Sequence, residues 1–423
     1  MALDNKRTET ICVLGAGVVG ISTAFTLSRY GYKVIVVEKN EGFAQGASQA
    51  NGAQLSYSYV EPFGNLKLLK SLPKYLLGLD PSIQLRPKLS GHYFSWGLSF
   101  LLNCLPEKEQ ENLHARATLA QTSAEAFKEF VADPAIKPPL IQSKGKLVLV
   151  PNEESLETAR KTRDRFLSLG LEREVLDRDQ ALDIEPALAQ ANEEFAGAIY
   201  APSDFAFDPV LYCEFLAKAC REAGVEFRFN TEIKAVLEQN GCAKSVLTNE
   251  GEIECDAVVV CMGNGSRELA KPLGISVPIY PMQGYSLTLP VSNNSPSVSV
   301  TSLKHKLVYA NLGSHVRIAG FLDANLPKKK VQKRQEQLLE LASSHWPGAA
   351  DFKADPKHWT NFRPMTPNGV PIIGESKIKN LYMNVGHGSL GYTFAAGSAA
   401  KIAAMIGRYG KNHFSYEQEV RHA

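Results

Sequence analysis

Gly15, Gly17 and Gly20 stand in the pattern G-x-G-x-x-G, and Glu38 follows 18 residues after the last of them. Glycines at this spacing suit one task, the gripping of a pyrophosphate by main-chain N–H groups. Gly15 permits a tight turn. Gly17 removes a side chain so that the backbone can approach the phosphates, and Gly20 lets a helix pack closely on a sheet. The intervening Ala16, Val18 and Val19 carry the unpaired amides and the positive dipole end of that helix. Glu38, with Lys39 beside it, falls where a carboxylate accepts hydrogen bonds from both ribose hydroxyls. An acid here would repel the extra phosphate of NADP.

This constellation needs a strand before it, a helix after it, and a second strand leading to the acid. Thr10–Leu14 (TICVL) is a short buried strand, and a helical stretch runs from the glycines to Tyr30. Gly31 then supplies the left-handed residue that stops the helix. Lys33–Val37 (KVIVV) is the second strand, so strand, glycines, helix, strand and acid fall in order. A glycine triplet alone would be weak; in this context it predicts a dinucleotide site.

FAD and NAD share such an opening, so later segments must decide between them. Gly42–Gln54 is rich in small and hydrogen-bonding residues, among them Gly46, Ala47, Ser48, Asn51, Gly52, Ala53 and Gln54. Such a loop can lie against a flat ring and a ribityl chain, although composition alone suits a surface loop. Residues 224–263 read as a strand Val225–Phe229, a strand beginning near Ile233, turns at Asn240-Gly241 and Asn249–Gly251, and Ala257–Cys261 running into Met262-Gly263. An apolar strand ending in glycine is how a dinucleotide-binding sheet closes over the cofactor's far side. Strand Leu381–Val385 enters Gly386-His387-Gly388-Ser389-Leu390-Gly391-Tyr392-Thr393, with a small-residue helix Ala395–Ile406 behind it. That repeats the strand, glycine turn and helix of the opening. Its dipole end would face anionic density such as the O2/N1 edge of a reduced flavin, which favours FAD.

Composition excludes several alternatives. With 423 residues, 44% of them hydrophobic, the chain can bury more than one core. Its 46 Lys and Arg against 44 Asp and Glu leave no global field to attract nucleic acid, so a small molecule is the expected partner. The first ten residues (MALDNKRTET) are polar, and no apolar run reaches the length of a membrane span. The seven cysteines are odd in number and scattered, without metal-ligand spacing, so no metal is expected and a reducing cytoplasm fits best. Leu66–Leu79 and Tyr93–Leu105 are apolar, the first punctuated by lysines, and suit either a bilayer surface or core helices. Lys328–Lys330 reads as a solvated face.

The opening motif, Gly42–Gln54, Ile279–Pro290 (IYPMQGYSLTLP), Trp359–Gly369 (WTNFRPMTPNG) and Gly386–Thr393 (GHGSLGYT) resemble the glycine oxidase/D-amino-acid oxidase superfamily of flavoproteins. Within it they look most like the bacterial D-amino-acid dehydrogenases. The resemblance spans nearly the whole chain and is only generic from about Ser143 to Asp204. The α/β fold expected has a discontinuous Rossmann-like FAD-binding domain (1–58, 200–270 and 359–423). A second α+β substrate domain (59–199 and 271–358) would be built on a mixed or antiparallel sheet.

The resemblance also implies the chemistry. Arg363 would grip the substrate carboxylate, so that Cα–H points at flavin N5 and hydride leaves it, giving a 2-oxo acid and ammonia. Read without the family, Arg363 is also a fair buried ion-pair residue. Tyr280, Tyr285 and Tyr57 are expected to line the pocket, and His387 to neighbour the flavin; core tyrosines and a turn histidine are the plainer alternatives. Ile233, Met262 and Gly263 complete the expected cofactor contacts. Sarcosine-oxidase-like relatives attach flavin through a cysteine near Asn361 and activate oxygen with a lysine near Leu390; neither residue type is present. Non-covalent FAD, and a quinone or similar carrier in place of oxygen, are therefore expected, with peripheral contact to the cytoplasmic face of a membrane and a partner subunit left open. Rival substrates are D-hydroxyproline, sarcosine and glycine. A flavin-binding scaffold without turnover would not need Arg363.

Overall fold

A computed structural model describes residues 9–133, 136 and 143–407. The polar opening residues, and the parts of both expected domains at 134–135, 137–142 and 408–423, lie outside the described residues.

The apolar runs at Thr10–Leu14 and Lys33–Val37 pair in parallel, as successive buried strands joined by a helix must. The helix between them is Val18–Arg29, and Gly31 beyond it takes φ +83°. Ala257–Val260 adds on the other side of Thr10–Leu14, followed by Leu381–Val385 and the antiparallel edge strand Ile372–Glu375. Glu226–Arg228 closes the opposite edge of this six-stranded sheet. Three regions of the chain, far apart in sequence, thus build one cofactor sheet. Helix Gly391–Ile406 lies against Val18–Arg29 on one face, with Phe25, Phe127, Phe130 and Tyr212 in the core between them. The other face is covered by an antiparallel three-stranded sheet, Ile233–Gln239, Cys242–Thr248 and Gly251–Glu254.

A ten-stranded sheet forms the second layer, mostly antiparallel with parallel pairings at Ser143–Val150 with Ser299–Ser302 and at Ile83–Leu85 with His315–Ala324. The expected α/β class, a Rossmann-like unit joined to a mixed sheet, is what the chain forms. Three strands expected in the cofactor unit instead hydrogen-bond into the large sheet, the shortest of them Gln54–Leu55, which pairs with Gly197–Ala206. Lys357–Met365 pairs with Tyr280–Pro290, and Gly197–Ala206 with Ser143–Val150. A boundary at 359 or 200 would cut these ladders, because Tyr280–Pro290 and Ser143–Val150 lie in the expected substrate segments.

Below this sheet, helix Val331–His345 covers a core that includes Leu287, Ile318 and Trp346. Beside it Glu193, His345 and Tyr309 form a buried chain of hydrogen bonds, His345 Nε2 to Glu193 at 2.6 Å and Nδ1 to the Tyr309 hydroxyl at 2.8 Å. The His305 ring lies tilted against His345, centroids 4.5 Å apart, a convergence that the scattered positions of these residues in the sequence hid.

Candidate active site

A cavity of about 760 Å³ lies between the two sheets. Its first half is built by the glycine turn. Gly15 takes φ +102°, and a Cβ there would meet the Cys261 carbonyl oxygen at 2.8 Å. A side chain at Gly20 would overlap the Gly15 carbonyl, so the helix can sit on the turn only with glycine at that position. Gly15, Gly17, Val18 and Val19 line the cavity. The Val18 amide is held by Ser48 Oγ at 3.1 Å, which ties the Gly42–Gln54 loop to the helix terminus. The Glu38 carboxylate accepts from the Ala16 amide at 2.9 Å and from Asn40 at 3.0 and 2.6 Å. It faces the cavity with lone pairs to spare, beside Lys39.

Gly46, Ala47, Ser48, Asn51, Gly52, Ala53 and Gln54 continue the lining, as do Met262 and Gly263 opposite them. Gly386, His387, Gly388, Ser389, Leu390, Gly391 and Tyr392 form the far wall at the start of helix Gly391–Ile406. Residues of this lining carry buried polar atoms that have no protein partner among the described residues: Asn264 Oδ1, Asn384 Oδ1, His387 Nε2 and the Tyr392 hydroxyl. Orphaned polar atoms along a cavity are what a polar ligand satisfies. Burial pushes His387 down to about 3, so its ring is neutral and cannot serve as a cation.

The second half of the cavity is lined by the large sheet. Arg363 lies on Lys357–Met365 opposite Met282, and its guanidinium passes over Gly284, where a Cβ would meet it at 2.6 Å. Nη1 donates to the Phe321 carbonyl at 3.1 Å. Phe321 holds φ +60°, unusual for a bulky residue and a place where backbone strain turns a carbonyl toward the site. The carboxylate that acts on Arg363 is Asp323, but Arg334 already grips both its oxygens, at 2.8 and 2.9 Å. Burial lowers Arg363 to about 10, which leaves it charged at neutral pH. Among the described residues it has no ion pair, which sets aside the buried-pair alternative. Tyr285 lines the same wall.

Three expected residues stand elsewhere. The Tyr280 hydroxyl donates to Asn325 at 2.6 Å, and its ring packs among His92, Tyr93 and Trp96. Tyr57 is buried in the helix-side core against Phe205. Alternation along its strand turned Tyr280 away from the cavity, and Tyr57 lies in the loop that follows the short strand Gln54–Leu55. Ile233 belongs to the three-stranded sheet and is absent from the lining. Ala16, Gly20 and Thr393 lie one layer behind: Ala16 through Glu38, Gly20 through packing, and Thr393 by accepting the Ser56 amide at 3.1 Å.

Several lining residues were not anticipated. Lys146, Ser56, Tyr59, Glu61 and Arg116 cluster at the helix end of the cavity. Arg173 pairs with Glu61 at 2.6 Å, and Arg116 donates to the carbonyls of Val60 and Gly369 at 2.6 and 2.8 Å. A signal for Lys146 existed: a lysine in an apolar run whose residues 145–150 are all buried. A charge amid such a strand needs a reason.

Fold and cavity together define a flavin-dependent oxidoreductase. The chain matches the model of the DAO family, described as "FAD dependent oxidoreductase", over residues 10–405, and it belongs to that family. FAD is its cofactor. It is 36% identical over 412 residues to D-amino acid dehydrogenase 2 of Ralstonia nicotianae, covering 94% of this chain and 96% of that one. D-amino acid dehydrogenase of Vibrio atlanticus is 32% identical, with 94% and 95% covered. Among solved structures, glycine oxidase from Bacillus cereus superposes with a TM-score of 0.68 at 21% identity, covering 96% and 97% of the two chains. L-proline dehydrogenase from P. horikoshii gives 0.68 at 18%, covering 97% and 96%. These last two share the fold.

Proposed function

We propose that the protein oxidises D-amino acids by hydride transfer from Cα to flavin N5, yielding an imino acid that hydrolyses to a 2-oxo acid and ammonia. The observation that carries this is Arg363, a buried and charged guanidinium in the cavity whose neighbouring carboxylate is already taken by Arg334. The relatives named as D-amino acid dehydrogenases support the class of substrate. When bound, FAD supplies the two-electron acceptor. The residues proposed to hold it are the Gly15–Gly20 turn and Glu38, the Ser48–Gln54 loop, Met262-Gly263, and Gly386–Tyr392.

Arg363 fixes the substrate carboxylate through both oxygens, which fixes the rotation of the molecule and the direction of its Cα–H bond. Tyr285 and the strained Phe321 hold that wall in place. Because hydride leaves once the amine is neutral, no base at Cα is required, and neutral His387 is not asked to be one. Orientation and exclusion of water supply the remaining advantage.

Electrons are proposed to pass to a membrane quinone. Helix Leu66–Leu76 ends on the exposed Leu77 (72%), helix Gly91–Asn103 exposes Leu98 (62%) and Leu102 (55%), and Leu89 is exposed between them. Lys67, Lys70 and Lys88 are exposed in the same region. An apolar face rimmed by lysines suits an anionic bilayer surface, and among the described residues no helix is long and apolar enough to cross one. Co-sedimentation with anionic liposomes checks this contact.

The substrate is tested by anaerobic mixing of the holoenzyme with D- and L-amino acids, N-methyl amino acids and D-hydroxyproline. Bleaching of the flavin band by D-amino acids alone, with fast recovery on adding quinone and slow recovery in air, is the expected result. Bleaching only by a secondary amine would move the assignment to that substrate. A yellow protein bleached by none of them would defeat the amine-oxidising reading.

A further inference from the structure

Lys146 is a buried cation for which deamination provides no task. Its side chain is 3% exposed, its Nζ donates to Ser56 Oγ at 2.8 Å, and it lies over the Tyr59 ring, 4.8 Å from the centroid. Among the described residues no carboxylate lies within ion-pair distance of it. The Ser56 amide donates to Thr393 Oγ1 at 3.1 Å, and Thr393 sits in the first turn of helix Gly391–Ile406. Lys146 is therefore coupled through one serine to the positive end of a helix dipole.

Two further observations mark that place as a ligand site. Tyr392, in the same turn, and His387, just before it, are each more than nine-tenths buried, and each keeps a polar atom without a partner. Lys146, Ser56, His387 and Tyr392 all line the cavity. Of the acids there, Glu61 gives one oxygen to Arg173 and keeps the other without a protein partner, and Glu38 is held by amides. Arg363 is claimed by the substrate carboxylate on the proposed reading. What remains is a positive charge and a helix terminus on one wall, with Asp204 and Glu61, the carboxylates that act on Lys146, beyond ion-pair distance of it.

We propose that Lys146 and the amino terminus of helix Gly391–Ile406 form one anion site for the pyrimidine edge of the flavin, so that Lys146 balances the negative charge this edge gains on reduction. The hydride brings two electrons and one proton to N5; the remaining charge spreads over N1 and C2=O, and Lys146 keeps its own proton throughout. A fixed charge at that edge raises the reduction potential because it favours the reduced form. The inference rests on FAD occupying this cavity and not on the identity of the amine.

The groups facing Lys146 are Asp204, Glu61, Arg173 and Tyr59. Burial pushes Lys146 down to about 8 and Asp204 up to about 6. Asp204, which accepts from the Ser58 amide at 2.9 Å, and Glu61 favour the ammonium; Arg173 opposes it. The site should therefore weaken as pH rises through about 8.

Sulfite is a probe that needs no substrate, since it adds to flavin N5 and leaves the same negative charge on the ring. The holoenzyme is titrated with sulfite between pH 7 and 9, corrected for sulfite's own ionisation, beside K146M, K146R and S56A. Wild type should bind sulfite with an affinity that falls through about pH 8. K146M should lose at least about tenfold and lack the step, as expected for a lost charge-assisted contact. K146R should retain most of the affinity, S56A should be intermediate, and the midpoint potential of K146M should drop. Wild-type affinity in K146M with the step intact would overturn the proposal. If K146M fails to retain FAD, a pH-independent wild type together with an unaltered S56A would overturn it as well. Failure of every amine to bleach the flavin would leave the sulfite result standing, so the two readings fail separately.

Discussion

The two walls of the cavity are built on different principles. The cofactor wall is made of main chain: glycine turns at Gly15–Gly20 and Gly386–Gly391, with amides presented by helix termini. The large-sheet wall is made of long charged side chains, Arg363 and Lys146, on strands that meet only in the folded protein. Backbone recognition needs contiguous residues and therefore leaves a motif. Side-chain recognition needs only that strands converge, and it leaves almost none. The first wall tolerates little substitution because space is missing. The second tolerates changes in shape but not in charge.

Substitutions that separate these principles have graded effects. The largest is expected for G20V, where the added carbons overlap the Gly15 carbonyl. The protein should purify colourless or insoluble, and the ratio of flavin to protein absorbance reads it directly. E38Q keeps the shape and the Asn40 contacts but loses a charged acceptor. FAD affinity should fall by about tenfold to a hundredfold, the worth of ~1.5–3 kcal/mol for a hydrogen bond to a charged group, measured by fluorescence titration of apoprotein. The double variant L77D/L98D should lose liposome binding while turnover with a soluble dye acceptor stays unchanged; loss of both would place those helices in the folding core.

The smallest effect is a pH dependence of stability. His387 is lowered from its ordinary value to about 3, so between about 3 and 6.5 the unfolded chain binds a proton that the native protein refuses. Its contribution to stability is complete above the ordinary histidine value and declines as pH falls below it. Asp204, raised to about 6, works in the opposite sense, so the difference between wild type and H387Q is the readout. Thermal midpoints should fall less between pH 7 and 5 in H387Q than in wild type. Equal falls would mean that the ring is not buried neutral.

Much of the cofactor wall was legible in the sequence. Thr10–Leu14, Lys33–Val37 and Leu381–Val385 form the strands expected of them, because short apolar runs bounded by glycine have few other fates. Arg363 was reached through family resemblance, not through its spacing. Tyr280 stands off the cavity because strand alternation decides which face a side chain takes, and Tyr57 because its loop packs into the helix-side core; both are tertiary properties. Arg116 is one basic residue in a long polar helix and gives no pattern, and for Lys146 the sequence shows only a charge beside an apolar strand; what each of them faces exists only in three dimensions. The membership of Lys357–Met365 in the large sheet was hidden for the same reason, since its ladder partner begins at Tyr280.

The central claim is that Arg363 grips a substrate carboxylate across from the flavin. It is tested most directly by anaerobic stopped-flow reduction of wild type and R363M with D-alanine and with D-alaninamide, which differ only in that carboxylate. The account predicts that wild type reduces far faster with D-alanine, by about a thousandfold or more in the second-order rate constant. R363M, with FAD still bound, should be slow with both and should hardly distinguish them. A wild type that treats the acid and the amide alike, or an R363M that still prefers the acid, would contradict it.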